Sequence, residues 1–342
     1  MVSKRIAVVG TGANGAAFGA DMIRAGLDVT FIEQWPAHVE AMRANGLRVE
    51  MPEETVTTPI RVFHMCEVAM LREPFDIVLL GVKAYDTRWA CELIKPLVAQ
   101  DGLVVGLQNG MTIDDVASIM GAERTLGAVI EVAAYMFEPG VVGRQTGPAG
   151  TWFGIGAYDE STRGREAEVA DVLRHAGEVE IKDDIRSAKW MKLVVNAAEF
   201  LPSSILNLPL AEAVKLPGIR DVMVASGREA VRTALALGHD LVPIFGNKRV
   251  EANDPDRYAT VLLDAVLTGW TLPDTKVTVL QDWIKERRAE VNDINGLVVR
   301  EQMRLGGEAP VNTRLVEIAH RIERGELKAD PSNADLLRSL LD

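Results

Sequence analysis

The chain changes its hydrophobic pattern about halfway along its length. Up to about residue 130, short runs rich in β-branched residues alternate with segments of helical period. These runs are Ile6–Val9, Val29–Glu33, Ile77–Val82, Leu103–Leu107 and Thr125–Val129. They are apolar at successive positions rather than at every second one, as in strands buried between two helical layers. The pattern predicts an α/β domain with a doubly wound, mainly parallel sheet.

The second half of the chain is predicted to be helical. Residues 131–160 carry several glycines and prolines between the short segments Gly140–Arg144 and Thr151–Gly156, which predicts a hairpin extension of the sheet. Beyond residue 183 the β pattern ends and long segments of helical period follow. These segments are Arg186–Leu201, Arg220–Leu237, Arg257–Leu267, Thr278–Leu305 and Arg314–Arg324. We therefore expect two domains, 1–182 and 183–342, the second all-helical.

Composition narrows the class of protein. The 342 residues include 37 Lys and Arg against 49 Asp and Glu, a net charge of −12, which argues against a nucleic-acid partner. Hydrophobic residues make up 48%, so disorder is excluded, yet no window of about 18 apolar residues predicts a membrane span. Two cysteines cannot form a disulfide framework, and five scattered histidines indicate no metal site. We expect a cytoplasmic protein, because Gly10 interrupts the apolar run that could resemble a secretory signal.

A glycine-rich motif follows the first predicted strand. The run Gly10-Thr11-Gly12-Ala13-Asn14-Gly15 stands between strand Ile6–Val9 and the helical segment Ala16–Ala25. In this strand–turn–helix context, the glycines allow a tight turn, close approach of a pyrophosphate and close helix packing, while helix N–H groups face the phosphates. The motif predicts an N-terminal Rossmann domain that binds a dinucleotide.

Glu33 ends the second predicted strand about 20 residues after the motif. An acid at this position can accept hydrogen bonds from the adenosine ribose. A 2′-phosphate there would meet a like charge, and no Lys or Arg lies between Ala25 and Met42 to offset it. The sequence therefore predicts NAD(H), with NADP(H) as the alternative.

A polar stripe marks the first helical segment of the second half. Lys192, Asn196, Glu199 and Ser203 fall on one face of a helix. An apolar stripe lies opposite and consists of Trp190, Leu193, Val194, Ala197 and Leu201. The pattern alone fits either a solvated face or a functional one.

Several motifs together resemble the ketopantoate reductases. They are the Trp-x-Lys-Leu-x-x-Asn run at 190–196, Gln108-Asn109-Gly110, Lys83, the segment from Thr278 to Gly296, and Ala309-Pro310-Val311-Asn312-Thr313. The resemblance covers nearly the whole chain, in order. It implies an NAD(P)H-dependent reductase that converts a 2-keto acid to a D-2-hydroxy acid in a cleft between a Rossmann domain and a helical domain.

The resemblance also implies catalytic roles for two residues. Lys192 matches the general acid that protonates the carbonyl oxygen, and Glu290 matches the acid that holds the substrate hydroxyl. The roles are chemically reasonable, because carbonyl reduction generates an alkoxide that requires a proton, and a partly desolvated lysine titrates closer to neutral pH. A neighbouring carboxylate opposes that shift, so an electrostatic role for Lys192 is also open.

Binding roles follow in the same way. Asn109 and Asn196 match residues that orient cofactor and substrate, and Lys83 matches a lysine near the cofactor. Thr278 stands where the family usually has a serine that binds the substrate carboxylate, and it keeps the hydroxyl donor.

Two positions depart from the family pattern. Phe200 replaces a substrate-contacting asparagine with an aromatic ring, and Glu33 stands where NADPH-linked members place a basic residue. We therefore predict an NAD-linked enzyme for a bulky, branched or aromatic 2-hydroxy acid, and Phe200 is interpreted equally well as core packing. An authentic 2-dehydropantoate 2-reductase, a 3-hydroxy-acid or opine dehydrogenase and a non-catalytic NAD-binding module are the alternatives. A homodimer is only the default expectation.

Overall fold

The computed structural model describes residues 4–246 and 254–341. The chain divides into two compact units, one ending at Arg186 and the other starting at Ser187. The boundary expected from the sequence, between 182 and 183, lies four residues earlier, just before a long helix. The first unit is mixed α/β and the second is helical, so the predicted fold class is confirmed.

The first unit contains twelve strands and five complete α-helices among its described residues. The strands are β1 (Arg5–Val9), β2 (Asp28–Glu33), β3 (Leu47–Glu50), β4 (Thr55–Thr58), β5 (Val62–His64), β6 (Phe75–Leu80), β7 (Val98–Gly106), β8 (Thr125–Glu131), β9 (Ala134–Glu138), β10 (Val141–Arg144), β11 (Trp152–Ala157) and β12 (Glu178–Ile181). The helices are α1 (Ala13–Arg24), α2 (Pro36–Asn45), α3 (Thr87–Ile94), α4 (Ile113–Met120) and α5 (Glu166–Leu173).

Eight of these strands form the main sheet, in the order β12-β11-β8-β7-β6-β1-β2-β5. The six strands from β8 to β5 are parallel, and β11 is antiparallel to β8. All five predicted strands lie in this sheet. Side chains on both faces of β1 are buried, Val8 in one apolar cluster and Val9 in another. The continuous apolar runs thus reflect a sheet covered on both faces.

The predicted hairpin extension is only partly correct. β11 does extend the main sheet, but the hairpin of β9 and β10 belongs to a separate four-stranded sheet in the order β4-β3-β10-β9. In that sheet Val142 pairs with Val49 across parallel strands. Strands of four or five residues are too short for their pairing partner to be apparent from the local pattern.

The second unit is built from helices. They are α6 (Ile185–Ile205, which starts two residues before the boundary), α7 (Leu210–Ala213), α8 (Ile219–Ala236), α9 (Pro255–Gly269), α10 (Thr278–Ile284), α11 (Asn295–Arg304), α12 (Pro310–Glu323) and α13 (Ala334–Arg338). No helix within 4–246 or 254–341 has the length and apolar character needed to cross a bilayer.

For one segment, the prediction of a single continuous helix is wrong. Thr278–Leu305 is two helices, α10 and α11, with a non-helical link from 285 to 294. Glu286 takes a left-handed backbone conformation with φ 53°, and the N–H of Arg287 donates to the carbonyl of Asp282, so the helix closes there. The link is anchored by buried Val291 and Ile294. Glu290 therefore lies in this link rather than on a helix.

Candidate functional site

The predicted cofactor residues of the first unit follow neighbouring parallel strands. The glycine-rich turn follows β1, Glu33 ends β2, and Lys83 and Asn109 follow β6 and β7. These strands are adjacent in the order β7-β6-β1-β2, so their carboxyl ends share one edge of the sheet. Ligands of open α/β sheets bind at this edge.

The three glycines of the turn have different surroundings. Gly10 has φ 85°, and a Cβ there would lie 2.5 Å from the backbone nitrogen of Val82. A Cβ on Gly15 would lie 2.4 Å from the Gly10 carbonyl oxygen, whereas one on Gly12 would meet no atom within 4 Å. Gly12 is the N-cap residue of α1. Because it has no side chain, the space in front of the helix N-terminus is open and the first N–H groups of the helix have no side-chain cap. This cradle fits a dinucleotide pyrophosphate, with Thr11, Ala13 and Asn14 completing the turn.

The Glu33 carboxylate is hydrogen-bonded to the glycine-rich turn and to the two residues that follow Glu33. Its Oε2 accepts hydrogen bonds from the Thr11 backbone N–H at 2.7 Å and from the Thr11 hydroxyl at 3.0 Å. Its Oε1 accepts from the N–H groups of Gln34 and Trp35 at 2.9 and 2.8 Å. The side chain is 5% exposed, and each carboxylate oxygen already accepts two hydrogen bonds. Glu33 therefore braces the glycine-rich turn; its contact with a ribose stays a prediction.

His38, which sequence reasoning missed, braces the same turn from α2. Its Nδ1 accepts from the Gly140 N–H at 2.8 Å, so its Nε2 carries the proton and donates to the Thr11 carbonyl at 3.1 Å. The imidazole is fully buried and stacks on Trp35 with ring centroids 5.8 Å apart. A single histidine after a Trp-Pro turn carries no recognisable signal, because its partner Gly140 is 102 residues away.

Lys83 and Asn109 are partly exposed and lie in loops that are tied together. The Gln108 side-chain amide donates to the Thr87 hydroxyl at 3.0 Å, and that hydroxyl donates to the Ala84 carbonyl at 2.8 Å. The loop after β6 is thereby held against the loop after β7. Gln108 supplies this link, which supports the positions of Lys83 and Asn109.

The polar stripe of α6 is buried. Asn196 and Ser203 are fully buried and Glu199 is 5% exposed, whereas Lys192 is partly exposed. The solvated-face interpretation is therefore wrong for these residues. Burying polar groups is costly unless they are bound, so these buried side chains need polar partners.

The Lys192 ammonium lies against an aromatic ring. Its Nζ is 5.1 Å from the ring centroid of Phe245, which in turn packs on Trp270 at 5.2 Å. Phe245 is 7% exposed and has φ 63°, a conformation that costs a non-glycine residue of order 1 kcal/mol or more. An apolar wall thus borders one side of the ammonium. Sequence analysis did not identify Phe245, which is 53 residues away.

The Glu290 carboxylate acts electrostatically on a second lysine, Lys189, that sequence reasoning also missed. Lys189 lies one turn before Lys192 on α6, and both Lys189 and Glu290 are 3% exposed. Burial lowers the pKa of Lys189 to about 8, while the Glu290 carboxylate opposes this shift. The i, i+3 spacing of Lys189 and Lys192 was a signal that could have placed both on one face.

A buried hydrogen-bond network holds the Glu290 link against α6. The Asn295 side-chain amide donates to the Ala197 carbonyl of α6 and to Asn312 Oδ1, both at 2.9 Å. The Ser226 hydroxyl donates to the same Ala197 carbonyl at 2.8 Å. The Asn295 and Asn312 side chains of the Ile294-Asn295-Gly296 and Val311-Asn312-Thr313 motifs therefore help to hold the link in place.

Among the described residues of the second unit, three buried hydroxyl oxygens have no hydrogen-bond partner: Ser203 Oγ, Ser204 Oγ and Thr278 Oγ1. Thr278 is the first residue of α10, where the resemblance places the substrate-carboxylate donor. Phe200 lies on α6 one turn after Asn196 and is 4% exposed. Unpartnered buried hydroxyls are rare and mark positions at which a ligand could bind.

Each unit therefore gathers one part of the predicted site. The glycine-rich turn, Glu33, Lys83 and Asn109 lie in the first unit, and the other predicted site residues lie in the second: Lys192, Asn196, Phe200, Thr278 and Glu290. Within the described ranges, no three His, Cys, Asp or Glu side chains form a group that could hold a metal.

Comparison with known proteins identifies the family. Residues 6–158 match the family model described as ketopantoate reductase PanE/ApbA, and residues 184–323 match its C-terminal model. A 2-dehydropantoate 2-reductase of Archaeoglobus fulgidus is 28% identical over 326 residues, covering 94% of this chain and 99% of that protein.

Solved structures agree with this match. A PanE/ApbA family ketopantoate reductase from Ralstonia eutropha JMP134 is 30% identical with a TM-score of 0.78, and a D-mandelate dehydrogenase bound to NADH and anilino(oxo)acetate is 22% identical with a TM-score of 0.83. In both cases 94% of this chain and 99% of the other is covered, and the second likeness concerns the fold alone. The chain belongs to the ketopantoate reductase family of oxidoreductases.

Proposed function

We propose that this protein is an NAD-linked oxidoreductase that interconverts a 2-keto acid and a D-2-hydroxy acid with a bulky, branched or aromatic side chain. The observation that carries the proposal is the buried polar face of α6, on which Lys192 is partly exposed while Asn196 and Glu199 are buried. This face presents the Lys192 amine at a partly exposed position beside buried polar groups. Carbonyl reduction needs such a group.

Lys192 is assigned the proton transfer. In the reductive direction its Nζ–H donates a proton to the carbonyl oxygen as a hydride reaches the carbonyl carbon, which gives the hydroxyl. In the oxidative direction the neutral amine takes the hydroxyl proton as the hydride leaves. A bound nicotinamide cofactor would supply or accept that hydride. The Phe245 ring beside the ammonium excludes water on that side and limits its orientations.

The remaining residues are assigned to binding. The Thr278 hydroxyl, which lacks a partner among the described residues, would donate to the substrate carboxylate. Glu290 would accept the hydrogen bond of the substrate hydroxyl, and Asn196 and Asn109 would orient substrate and cofactor. Oriented donors and acceptors of this kind contribute to catalysis by fixing the reacting atoms.

The glycine-rich turn and Glu33 support the choice of cofactor. Family members use NAD(P)H, and the cradle at Gly12 fits the pyrophosphate of either form. The Glu33 carboxylate at the end of β2 disfavours a 2′-phosphate by charge repulsion. Lys83 would lie beside the cofactor at the neighbouring strand end.

Phe200 supports a larger substrate. It lies on the same helical face as Lys192 and Asn196, where an amide is the family pattern, so the site would offer apolar area in place of a polar contact. A substrate with a branched or aromatic side chain could use that area.

A second candidate is 2-dehydropantoate reduction itself. Curated relatives with that name include the Archaeoglobus fulgidus protein, which aligns over nearly its full length. Glu33 and Phe200 argue against this candidate, and kinetics distinguish the two.

Initial rates test the proposal. Wild-type protein is assayed with NADH and NADPH against 2-dehydropantoate and branched and aromatic 2-keto acids, then with NAD against D- and L-2-hydroxy acids. The proposal predicts turnover of a bulky D-acid with NAD at a kcat/KM at least tenfold above that with NADP. A tenfold preference for NADPH would contradict the cofactor assignment, and NADPH-dependent reduction of 2-dehydropantoate would establish the second candidate. Cofactor binding without turnover of any acid would indicate a non-catalytic NAD-binding module.

A further inference from the structure

His38 is a buried histidine with a defined tautomer that the proposed reaction does not yet use. It is fully buried on α2, and its Nδ1 accepts from the Gly140 N–H at 2.8 Å. Because Nδ1 is an acceptor, the proton is on Nε2, which donates to the Thr11 carbonyl oxygen at 3.1 Å. The imidazole therefore connects the turn between β9 and β10 to the glycine-rich turn after β1.

The Gly140 end of this connection is held in place by two other elements. Gly140 has φ 77°, and a Cβ there would lie 2.9 Å from the Cβ of Ala41 on α2. The Gly140 carbonyl accepts from the backbone N–H of Arg48 on β3 at 2.9 Å. The N–H that donates to His38 thus belongs to a backbone position that is fixed by α2 and by the four-stranded sheet.

The Thr11 end of the connection determines the direction of a neighbouring backbone N–H. A trans peptide is planar, and its C=O and N–H point in opposite directions. The Thr11 carbonyl, which accepts from His38, and the Gly12 N–H belong to the same peptide. His38 therefore fixes the direction of the Gly12 N–H, which points to the side of the peptide away from the imidazole.

Glu33 fixes the preceding peptide in the same way. Its Oε2 accepts from the Thr11 N–H at 2.7 Å, so the Gly10 carbonyl points away from Glu33. The two peptides on either side of Thr11 are thus held by two different side chains, one at the end of β2 and one on α2. A turn that is held in this way does not have to be ordered when a ligand binds.

We propose that His38 is a positioning residue for the cofactor, whose hydrogen bond to the Thr11 carbonyl directs the Gly12 N–H to the pyrophosphate. Gly12 is the glycine at which the backbone approaches the pyrophosphate, and a Cβ there would meet no atom within 4 Å. The inference rests on the proposed function, because it requires the glycine-rich turn to bind a dinucleotide. His38 itself does not touch the cofactor and acts through the peptide between Thr11 and Gly12.

Two substitutions of His38 each keep one of its two hydrogen bonds. In His38→Gln the side-chain amide nitrogen takes the place of Nε2 and donates to Thr11, whereas the Gly140 N–H loses its acceptor. In His38→Asn the amide oxygen takes the place of Nδ1 and accepts from Gly140, whereas the Thr11 carbonyl loses its donor. Each variant leaves one buried backbone group without its partner, so we expect both to lose thermal stability to a similar extent.

Calorimetric titration with NADH distinguishes the two variants. We expect the Kd of His38→Asn to be about tenfold or more above the wild-type value, because a misdirected Gly12 N–H loses a hydrogen bond to a charged group. The Kd of His38→Gln should stay within about threefold of the wild type, because the bond to Thr11 is kept. ADP-ribose, which has the pyrophosphate but no nicotinamide, should lose affinity for His38→Asn to the same extent as NADH.

Two further variants complete the experiment. His175→Asn, at an exposed histidine of the same unit, should leave the Kd of both ligands at the wild-type value. If His38→Asn does not fold, His38→Leu, which fills the space and makes neither hydrogen bond, replaces it with the same expectation.

The outcomes separate this inference from the proposed function. Equal NADH affinities of His38→Asn and His38→Gln would overturn the role of His38, because loss of stability alone would explain them. Weaker NADH binding with unchanged ADP-ribose binding would also overturn it, because the effect would not lie at the pyrophosphate. A wild type that binds NADH but turns over no 2-keto acid would overturn the proposed function, while the Kd values of the variants still decide the role of His38. A wild type that binds neither dinucleotide would overturn both.

Discussion

At the scale of single residues, Glu33 joins the glycine-rich turn to the strand that follows it. In Glu33→Gln one acceptor oxygen becomes an NH2 group, so two of the four present donors lose their partner. Each unmet donor costs about 1–3 kcal/mol, and about 1.4 kcal/mol is tenfold in affinity. We therefore expect the Kd for NADH to rise at least tenfold, measured by fluorescence titration.

The exposed Glu40 on α2 provides a matched control for this change. Glu40→Gln should leave the Kd for NADH within twofold of the wild type, since this side chain lies outside the bracing contacts of the turn. Unchanged NADH binding in Glu33→Gln, together with tighter NADPH binding, would show that Glu33 acts only through its charge.

The burial of Lys189 predicts that the stability of the protein depends on pH. Its pKa is about 8 in the folded protein against 10.5 as the ordinary value, so unfolding takes up a proton between these pH values. The free energy of unfolding should therefore rise with pH across this window relative to Lys189→Met, by up to about 3 kcal/mol. Urea unfolding of both proteins at pH 7 and pH 10 measures it. An equal difference between the two proteins at both pH values would contradict the burial argument.

Individual site residues could be predicted where they belong to a recognisable sequence motif. The glycine-rich turn, Glu33 and Lys192 stand in recognisable sequence contexts. His38, Lys189 and Phe245 do not, because their roles depend on partners 53 to 102 residues away, and tertiary contacts at that separation leave no local pattern.

At the scale of elements, the N-terminus of α12 depends on a side chain from α8. Glu229 accepts from the N–H groups of Val311 and Asn312 at 2.8 and 2.9 Å, and from the Asn312 side-chain amide at 2.7 Å. A carboxylate there satisfies free helix N–H groups and complements the helix dipole. It also holds Asn312 in the network that positions the Glu290 link.

Glu229→Ala should therefore destabilise the second unit. We expect the free energy of unfolding to fall by about 2–4 kcal/mol, because three donors lose a charged acceptor. Urea denaturation measures the change, and Glu317→Ala, on the exposed face of α12, is the control with an expected change under about 0.5 kcal/mol. Equal effects of the two substitutions would show that Glu229 has no capping role.

The elements themselves were predictable in proportion to their length and burial. The strands of the parallel sheet appear as apolar runs because both of their faces are covered. The small sheet of β3, β4, β9 and β10 does not, since its strands have four or five residues and pair across distant segments. The break between α10 and α11 was missed because charged residues from 285 to 288 fit a solvated helix equally well.

At the scale of the whole molecule, the order of elements was enough to predict the fold class. Alternating strands and helices followed by helices alone define a Rossmann unit and a helical unit, and the family match covers both. The substrate could not be predicted in the same way, because a few side chains such as Phe200 determine it while the fold stays constant.

The most direct test of the account is the single-turnover rate of Lys192→Ala with the best 2-keto acid and NADH. If Lys192 donates the proton, the rate of the chemical step falls by about 100-fold or more, within the range for general acid catalysis. Lys215→Ala, at an exposed lysine of the same unit, should turn over at the wild-type rate. A loss of less than threefold in Lys192→Ala, with the fold intact by circular dichroism, would contradict the assignment of Lys192 as the proton donor.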